Sequence, residues 1–71
     1  MIDLSRDQIE YLINQFIFNR RDREMTKDRL LDGMTYDELA NKYYMSPRHI
    51  KSIIHRCKDI IFSHIDRLPY T

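Results

Sequence analysis

Two closely spaced helix-start signals in the middle of the sequence restrict the fold more than any other feature. Thr35 followed by Glu38 forms a capping box, in which each side chain satisfies a free backbone N–H of a helix beginning at Tyr36. Ser46 followed by Pro47 marks a second start, because serine is a good N-cap and proline at the first helical position leaves no N–H unpaired. Two helices that begin this close together need a tight turn and a steep crossing.

The apolar residues of this segment fall on one face of each predicted helix. They are Leu39, Ala40 and Tyr43 in the first helix and Ile50, Ile53 and Ile54 in the second. Ala40 is small, so it lets two crossing helices approach closely. Only Tyr43, Tyr44 and Met45 are expected between the helices, and this short connection predicts a helix-turn-helix over residues 35–66.

The segment LLDGMTYDELANKYYMSPRHIKSIIHR, residues 30–56, resembles the helix-turn-helix of region four of bacterial sigma factors and the related domain that ends LuxR-type response regulators. With NRRDREM before it, the resemblance covers about half of the chain. The chain is most similar to small sigma-like regulators of phages and prophages of Gram-positive bacteria. Thr26 and Asp28 stand where that family usually has apolar residues. Tyr44 replaces its usual glycine, at a cost of about 1–2 kcal/mol if the left-handed turn is kept.

That resemblance implies a function in transcription. In the family, the helix-turn-helix binds double-stranded DNA at an upstream promoter element, and the same domain contacts the flap of the RNA polymerase β subunit. We therefore expect a DNA-binding regulator whose partners are DNA and RNA polymerase.

A first supporting helix is predicted within residues 1–18. Ser5 and Gln8 form a capping box, so this helix should begin at Arg6. Its apolar residues follow the spacing of a helical stripe and are Ile9, Leu12, Ile13, Phe16 and Ile17. The stripe must be buried, either against the helix-turn-helix or in a homodimer, and Tyr11 and Phe18 beside it keep the second alternative open.

A second supporting helix is predicted within residues 19–33. Asn19 can cap it, and Gly33 should end it in the left-handed conformation after Asp32. Its strongly apolar residues are Met25, Leu30 and Leu31. Basic and acidic residues alternate over the rest, which favours a solvated surface of mixed charge.

The last helix should run from Pro47 to about Asp66, a length of roughly 30 Å, with Pro69 ending it. Its apolar stripe continues through Cys57, Ile60, Ile61, Ile65 and Leu68, with Phe62 to one side. The first helix is the natural cover, and any uncovered remainder is a candidate dimer or polymerase contact. The predicted fold is therefore an all-α, four-helix compact domain over residues 1–71, containing a helix-turn-helix with a long C-terminal recognition helix.

Charge is unevenly distributed in this chain of 71 residues, although the net charge is only +1. Residues 1–19 carry one basic and three acidic side chains, whereas residues 46–71 carry five basic and two acidic ones. One end can therefore face phosphate. The single cysteine excludes an internal disulfide, and without a basic leader and apolar run we expect a cytoplasmic protein with no membrane partner.

The candidate DNA-reading residues lie opposite the predicted buried face of the last helix, because the second helix of a helix-turn-helix enters the major groove. One polar face contains Arg48, Lys51, Ser52 and His55. Arg48 can bind guanine, and Lys51 a guanine or a phosphate. Two further groups suit the DNA backbone: His49 and Arg56 beside that face, and Thr35 and Ser46 at helix N-termini, although capping alone explains the last two.

Catalytic and metal sites are not expected. The sequence has no nucleophile beside a base, no glycine-rich phosphate loop and no paired carboxylates. His49, His55, His64 and Cys57 are the types of residue that bind zinc, but their helical spacing closes no tetrahedral site. We therefore predict a non-enzyme without cofactor, metal or small-molecule substrate.

Two other functions remain open. One is a protein-interaction module that binds RNA polymerase or another regulator without affinity for DNA, which the near-neutral net charge favours. The other is a phage DNA-packaging subunit, like a small terminase, that recognises DNA within an oligomeric ring. The interaction module should not bind DNA in moderate salt, and a ring should elute far larger than a monomer or dimer.

Overall fold

Four α-helices and a short 3-10 helix make up the computed structural model, which describes residues 4–67. The helices are α1 (Arg6–Phe16), α2 (Arg20–Leu30), α3 (Tyr36–Tyr43) and α4 (Pro47–Ser63), and the 3-10 helix is Ile65–Arg67. Residues 4–67 contain no strand, so the predicted all-α class is confirmed. Over the same residues, no helix has the length and apolar character needed to cross a membrane.

All four α-helices begin where the capping residues predict. Ser5 and Thr35 each form a complete capping box with the residue three positions later. Asn19 and Ser46 each accept a hydrogen bond from the backbone N–H three residues later, at 3.1 and 3.2 Å. Helix starts in this chain are therefore encoded locally.

The predicted end of α2 was wrong by two residues. The helix ends at Leu30, and Leu31 caps it in the right-handed conformation. Gly33 does adopt the left-handed conformation, with φ of 70°, and the following N–H of Met34 bonds to the Asp28 carbonyl at 3.1 Å. The glycine therefore turns the chain toward α3 after the helix has already ended.

The predicted end of α4 was also wrong, because the helix stops at Ser63 rather than near Asp66. The Ser63 hydroxyl donates to the Ile60 carbonyl at 2.8 Å, and Nδ1 of His64 lies 2.8 Å from the same oxygen. These side chains compete for the carbonyl that would continue the helix, and the chain tightens into the 3-10 turn. Pro69 as the stop and Leu68 in the stripe lie outside the described residues.

The core is formed by one face from each of α1, α3 and α4, with Met25 from α2. Its buried apolar residues are Leu12, Ile13, Ile17, Met25, Leu39, Ala40, Ile50, Ile53, Ile54, Cys57 and Ile61. The stripe of α1 packs within the chain, against α4 of the predicted helix-turn-helix and also against α2. Cys57 is 1% exposed, and this burial raises the pKa of its thiol.

The mixed-charge interpretation of α2 was wrong for its inner face. Asp22, Thr26 and Asp28 are all buried there, beside Met25. The Thr26 hydroxyl donates to the Asp22 carbonyl at 2.7 Å, so it is satisfied inside its own helix. A buried carboxylate needs partners from elsewhere, and both aspartates have them.

Asp28 connects α2 to the end of α3. Its Oδ2 accepts from the Lys42 ammonium at 2.7 Å and from the Tyr43 hydroxyl at 2.6 Å. The hydrogen bond to Asp28 also raises the pKa of Lys42. One carboxylate therefore fixes the last turn of α3, which leads directly into the connection to α4.

Asp22 makes the corresponding connection to α4. Its Oδ1 accepts from Arg21 at 3.2 Å, and its Oδ2 accepts from Arg56 of α4 at 3.3 Å. The two aspartates stand six residues apart on α2 and hold α3 and α4 separately. Thus α2 sets where both helices lie relative to each other.

Replacing Tyr43 with Phe is expected to reduce the loss of stability at alkaline pH. Burial, and then the hydrogen bond to Asp28, raise the pKa of the Tyr43 hydroxyl above its ordinary value of 10.0. The unfolded chain releases this proton first, so the stabilisation is complete below about pH 10 and falls as pH rises further. Urea midpoints at about pH 8.5 and about pH 11 should therefore differ less in Tyr43→Phe than in the wild type. Equal differences would contradict the assignment.

The connection between α3 and α4 is shorter than predicted, because Tyr43 is the last residue of α3. Tyr44 follows in the left-handed conformation, with φ of 56° and ψ of 45°. The next N–H, of Met45, bonds to the Ala40 carbonyl at 3.1 Å and closes the turn. An L-residue costs about 1–2 kcal/mol in this conformation, as the comparison with glycine predicts.

Candidate nucleic-acid interface

Helix α4 has one buried and one exposed face over its first ten residues. Ile50, Ile53 and Ile54 are at most 3% exposed and pack into the core. The residues of this segment that were predicted to read bases, Arg48, Lys51, Ser52 and His55, are all exposed. His49 and Arg56, which were predicted to meet the DNA backbone, are exposed as well. Burial of the isoleucines therefore fixes which side chains α4 presents outward.

A cleft of about 550 Å³ opens between the start of α3 and the start of α4. It is lined by Thr35, Tyr36, Asp37, Pro47, Arg48 and Lys51. Three predicted site residues, Thr35, Arg48 and Lys51, therefore come together although they are up to 16 positions apart in the sequence. The cleft is open to solvent and places two basic side chains beside a helix N-terminus.

Thr35 holds the α3 side of the cleft in place. Its Oγ1 accepts from the Glu38 N–H at 3.1 Å, and its own N–H donates to the Glu38 carboxylate at 2.8 Å. The hydrogen bond from the Thr35 backbone N–H, and then the Thr35 side chain, lower the pKa of the Glu38 carboxyl. The N–H groups of Tyr36 and Asp37 in the first turn have no carbonyl partner within the helix and can meet an anion.

Arg48 and Lys51 supply the positive charge of the cleft. Both are exposed, and neither forms an ion pair with another side chain of residues 4–67. Asp37, which the sequence interpretation missed, lies on the opposite wall. Its place at the start of α3 is ordinary for a helix, and only the packing of α3 on α4 brings it near the two cations.

The other residues predicted to contact DNA differ in whether their side chains are already bonded within the chain. Ser52, His55 and His49 are exposed on α4, outside the lining of the cleft. Ser46 is exposed, but its hydroxyl already caps α4. Arg56 is bonded to Asp22 at 3.3 Å, so a contact with phosphate would share or replace that ion pair. Among residues 4–67, no three His, Cys, Asp or Glu side chains are grouped as a metal site requires.

A second, apolar groove of about 170 Å³ lies near the other end of α4. It is lined by Leu4, Ile9, Leu30, Ile61 and Phe62. Phe62, which the sequence places to one side of the α4 stripe, is 55% exposed. This groove is roughly 20 Å along the helix from Pro47, so the two ends of α4 differ in chemistry.

Comparison of the chain with protein-family models, with curated proteins and with solved structures found no match. The geometry and charge of the site therefore indicate what it can bind. The site consists of an exposed polar helix face whose first turns carry two cations without ion pairs among residues 4–67, beside the N-terminus of a second helix.

Proposed function

We propose that this protein binds double-stranded DNA and regulates transcription, using α3 and α4 as a helix-turn-helix. The observation that carries this proposal is the exposure of Arg48 and Lys51, free of ion pairs among the described residues, on a helix whose opposite face is buried. A helix supported in this way can enter the major groove with its first two turns facing the bases.

The positions on α4 support distinct roles in that complex. Arg48, in the first turn, binds guanine O6 and N7 through its guanidinium, and Lys51 binds a guanine or a nearby phosphate. Ser52 and His55 extend the same face toward the next bases. The N-terminus of α3 at Thr35 lies across the cleft from both cations and receives a backbone phosphate.

The regulatory part of the proposal comes from the resemblance of residues 30–56 to region four of sigma factors. A domain of that kind meets promoter DNA through its helix-turn-helix and polymerase through another surface. A lone domain binds non-specific DNA weakly, with a Kd of about 10⁻⁴ to 10⁻⁶ M near physiological salt. A second half-site or a polymerase tether would raise the effective affinity.

The experiment that tests the proposal is fluorescence anisotropy with a labelled mixed-sequence duplex over a series of salt concentrations. We expect binding at low salt that weakens steeply as salt rises, because each phosphate contact releases a condensed counterion. Absence of binding even at low salt would contradict the proposal. Size-exclusion chromatography of the same sample separates a monomer or dimer from the ring expected of a packaging subunit.

A protein-interaction module is the second candidate function, favoured by the apolar groove beside Phe62 and the net charge of +1. An exposed aromatic at the edge of an apolar groove is typical of protein contacts. In this case the chain would bind purified RNA polymerase, Phe62→Ala would weaken that binding, and the duplex would stay unbound at low salt. DNA binding together with unchanged polymerase binding by Phe62→Ala would reject this candidate.

A further inference from the structure

Tyr44 adopts a backbone conformation that glycine would adopt without steric penalty. Its φ of 56° and ψ of 45° place it in the left-handed region, and no other non-glycine residue among 4–67 has a positive φ. The clash of Cβ with the following carbonyl oxygen disfavours this conformation for a bulky L-residue. A tyrosine at this position therefore lowers the stability of the turn.

The turn is closed by backbone hydrogen bonds to the Ala40 carbonyl, but no contact of the Tyr44 side chain within the described residues offsets the strain. Tyr44 is 94% exposed, and its side chain forms no hydrogen bond, ring stacking or cation contact with residues 4–67. The two tyrosines of α3 do have partners: the Tyr43 hydroxyl donates to Asp28, and the Tyr36 ring lies under the guanidinium of Arg29 at 4.5 Å. Strain at an exposed residue without internal partners is typical of a functional contact.

The position of Tyr44 indicates which contact this is. It lies two residues before the cap Ser46, so its Cα is within about 7.6 Å of the Ser46 Cα. It therefore stands at the same end of α4 as Arg48, the end that enters the groove in the proposed function. The edge of the major groove beside that end is formed by phosphates, and tyrosine hydroxyls are among the groups that bind them.

We infer that Tyr44 is a DNA-backbone contact, whose hydroxyl donates a hydrogen bond to a phosphate at the edge of the groove. This inference rests on the proposed DNA binding. It adds a neutral, position-fixing contact to the charged ones of Arg48 and Lys51. The turn keeps a strained tyrosine because a glycine would lack the donor.

Two variants test the inference, each measured for thermal stability and for affinity to the mixed-sequence duplex. Tyr44→Gly removes both the strain and the donor, so its unfolding midpoint should rise by several degrees while its Kd increases about tenfold. Tyr44→Phe keeps the strain and the ring, so its midpoint should stay unchanged while its Kd increases to a similar extent. Because the hydroxyl is neutral, neither variant should change the salt slope, in contrast to a lysine variant.

The outcomes separate the inference from the proposed function. Weaker DNA binding by both variants, with a stabilised Tyr44→Gly, supports the contact. Wild-type affinity for DNA in Tyr44→Phe overturns the hydroxyl contact but leaves the proposed DNA binding intact. If Tyr44→Phe then binds purified polymerase more weakly than the wild type, Tyr44 belongs to a protein-contact surface. A wild-type chain that binds no duplex at low salt overturns both the inference and the proposed function.

Discussion

The Arg48→Ala/Lys51→Ala double variant should lose about 2–6 kcal/mol of binding free energy for duplex DNA, because each contact contributes about 1–3 kcal/mol. Both side chains are exposed and unpaired within residues 4–67, so their removal leaves the core and the ion pairs of α2 intact. The slope of log affinity against log salt should flatten by about two units if both cations meet phosphates, and by less if Arg48 binds bases. Anisotropy over a salt series measures both quantities.

A charge-matched control removes the same two positive charges from α2. Arg20 and Lys27 form no ion pair with residues 4–67, so Arg20→Ala/Lys27→Ala changes the net charge equally without touching α4. We expect a small loss of affinity in this control, from long-range electrostatics alone. Equal losses in the two double variants would mean that α4 makes no specific contact.

Leu39→Ala should destabilise the fold by about 2–5 kcal/mol, because the leucine is wholly buried and its removal leaves a cavity. Helix α3 has only 8 residues, and Leu39 and Ala40 are its buried side chains. A 71-residue domain has a total stability of roughly 4–11 kcal/mol, so this loss is a large part of it. Urea unfolding followed by circular dichroism should show a much lower midpoint with an unchanged slope.

Asn41→Ala is the matched control on the same short helix. Asn41 is exposed, so this change should alter stability by no more than about 0.5 kcal/mol. A Leu39→Ala midpoint close to that of Asn41→Ala would mean that α3 does not depend on this residue for its packing.

The helix starts could be predicted because each is fixed within four residues. Ser5, Asn19, Thr35 and Ser46 act on the N–H groups of their own first turns, so the local sequence is sufficient. The positive φ of Tyr44 was expected only from the resemblance, because that family usually has glycine at this position, and the sequence left open whether tyrosine keeps the turn. The helix ends were harder to predict from the sequence, because side chains such as Ser63 compete for the last backbone carbonyls of the helix.

The inward orientation of Asp22 and Asp28 could not be predicted in this way. Both stand among alternating charges, and their burial depends on Arg56 and Lys42, which are 34 and 14 positions away. A periodicity argument places a charged residue on the solvent side unless its partner is known. The sequence therefore indicated the α2 contribution to the core only through its apolar residues, Met25, Leu30 and Leu31, of which Met25 is buried and Leu30 packs against the core.

The candidate site was predictable on α4 and less so on α3. The buried isoleucine stripe determines the outward face of α4, so Arg48 and Lys51 followed from helical spacing. The cleft between the two helices depends on how they cross, which the sequence does not specify. No sequence pattern therefore indicated that Asp37 lines the cleft. The DNA-reading role of these residues stays a prediction.

The buried Cys57 gives this fold an internal reporter. The thiolate is the form that attacks an electrophilic labelling reagent. At 1% exposure, and with its pKa raised by burial, the Cys57 thiol reacts only when the helices separate. Cys57 lies on the core side of α4, away from Arg48 and Lys51, so bound DNA would slow its labelling only by stabilising the folded state. The free energy of this protection grows as RT ln(1 + [L]/Kd), where [L] is the concentration of free DNA. Labelling rates without DNA give the opening free energy, and the same rates over a series of DNA concentrations give the affinity for unlabelled DNA.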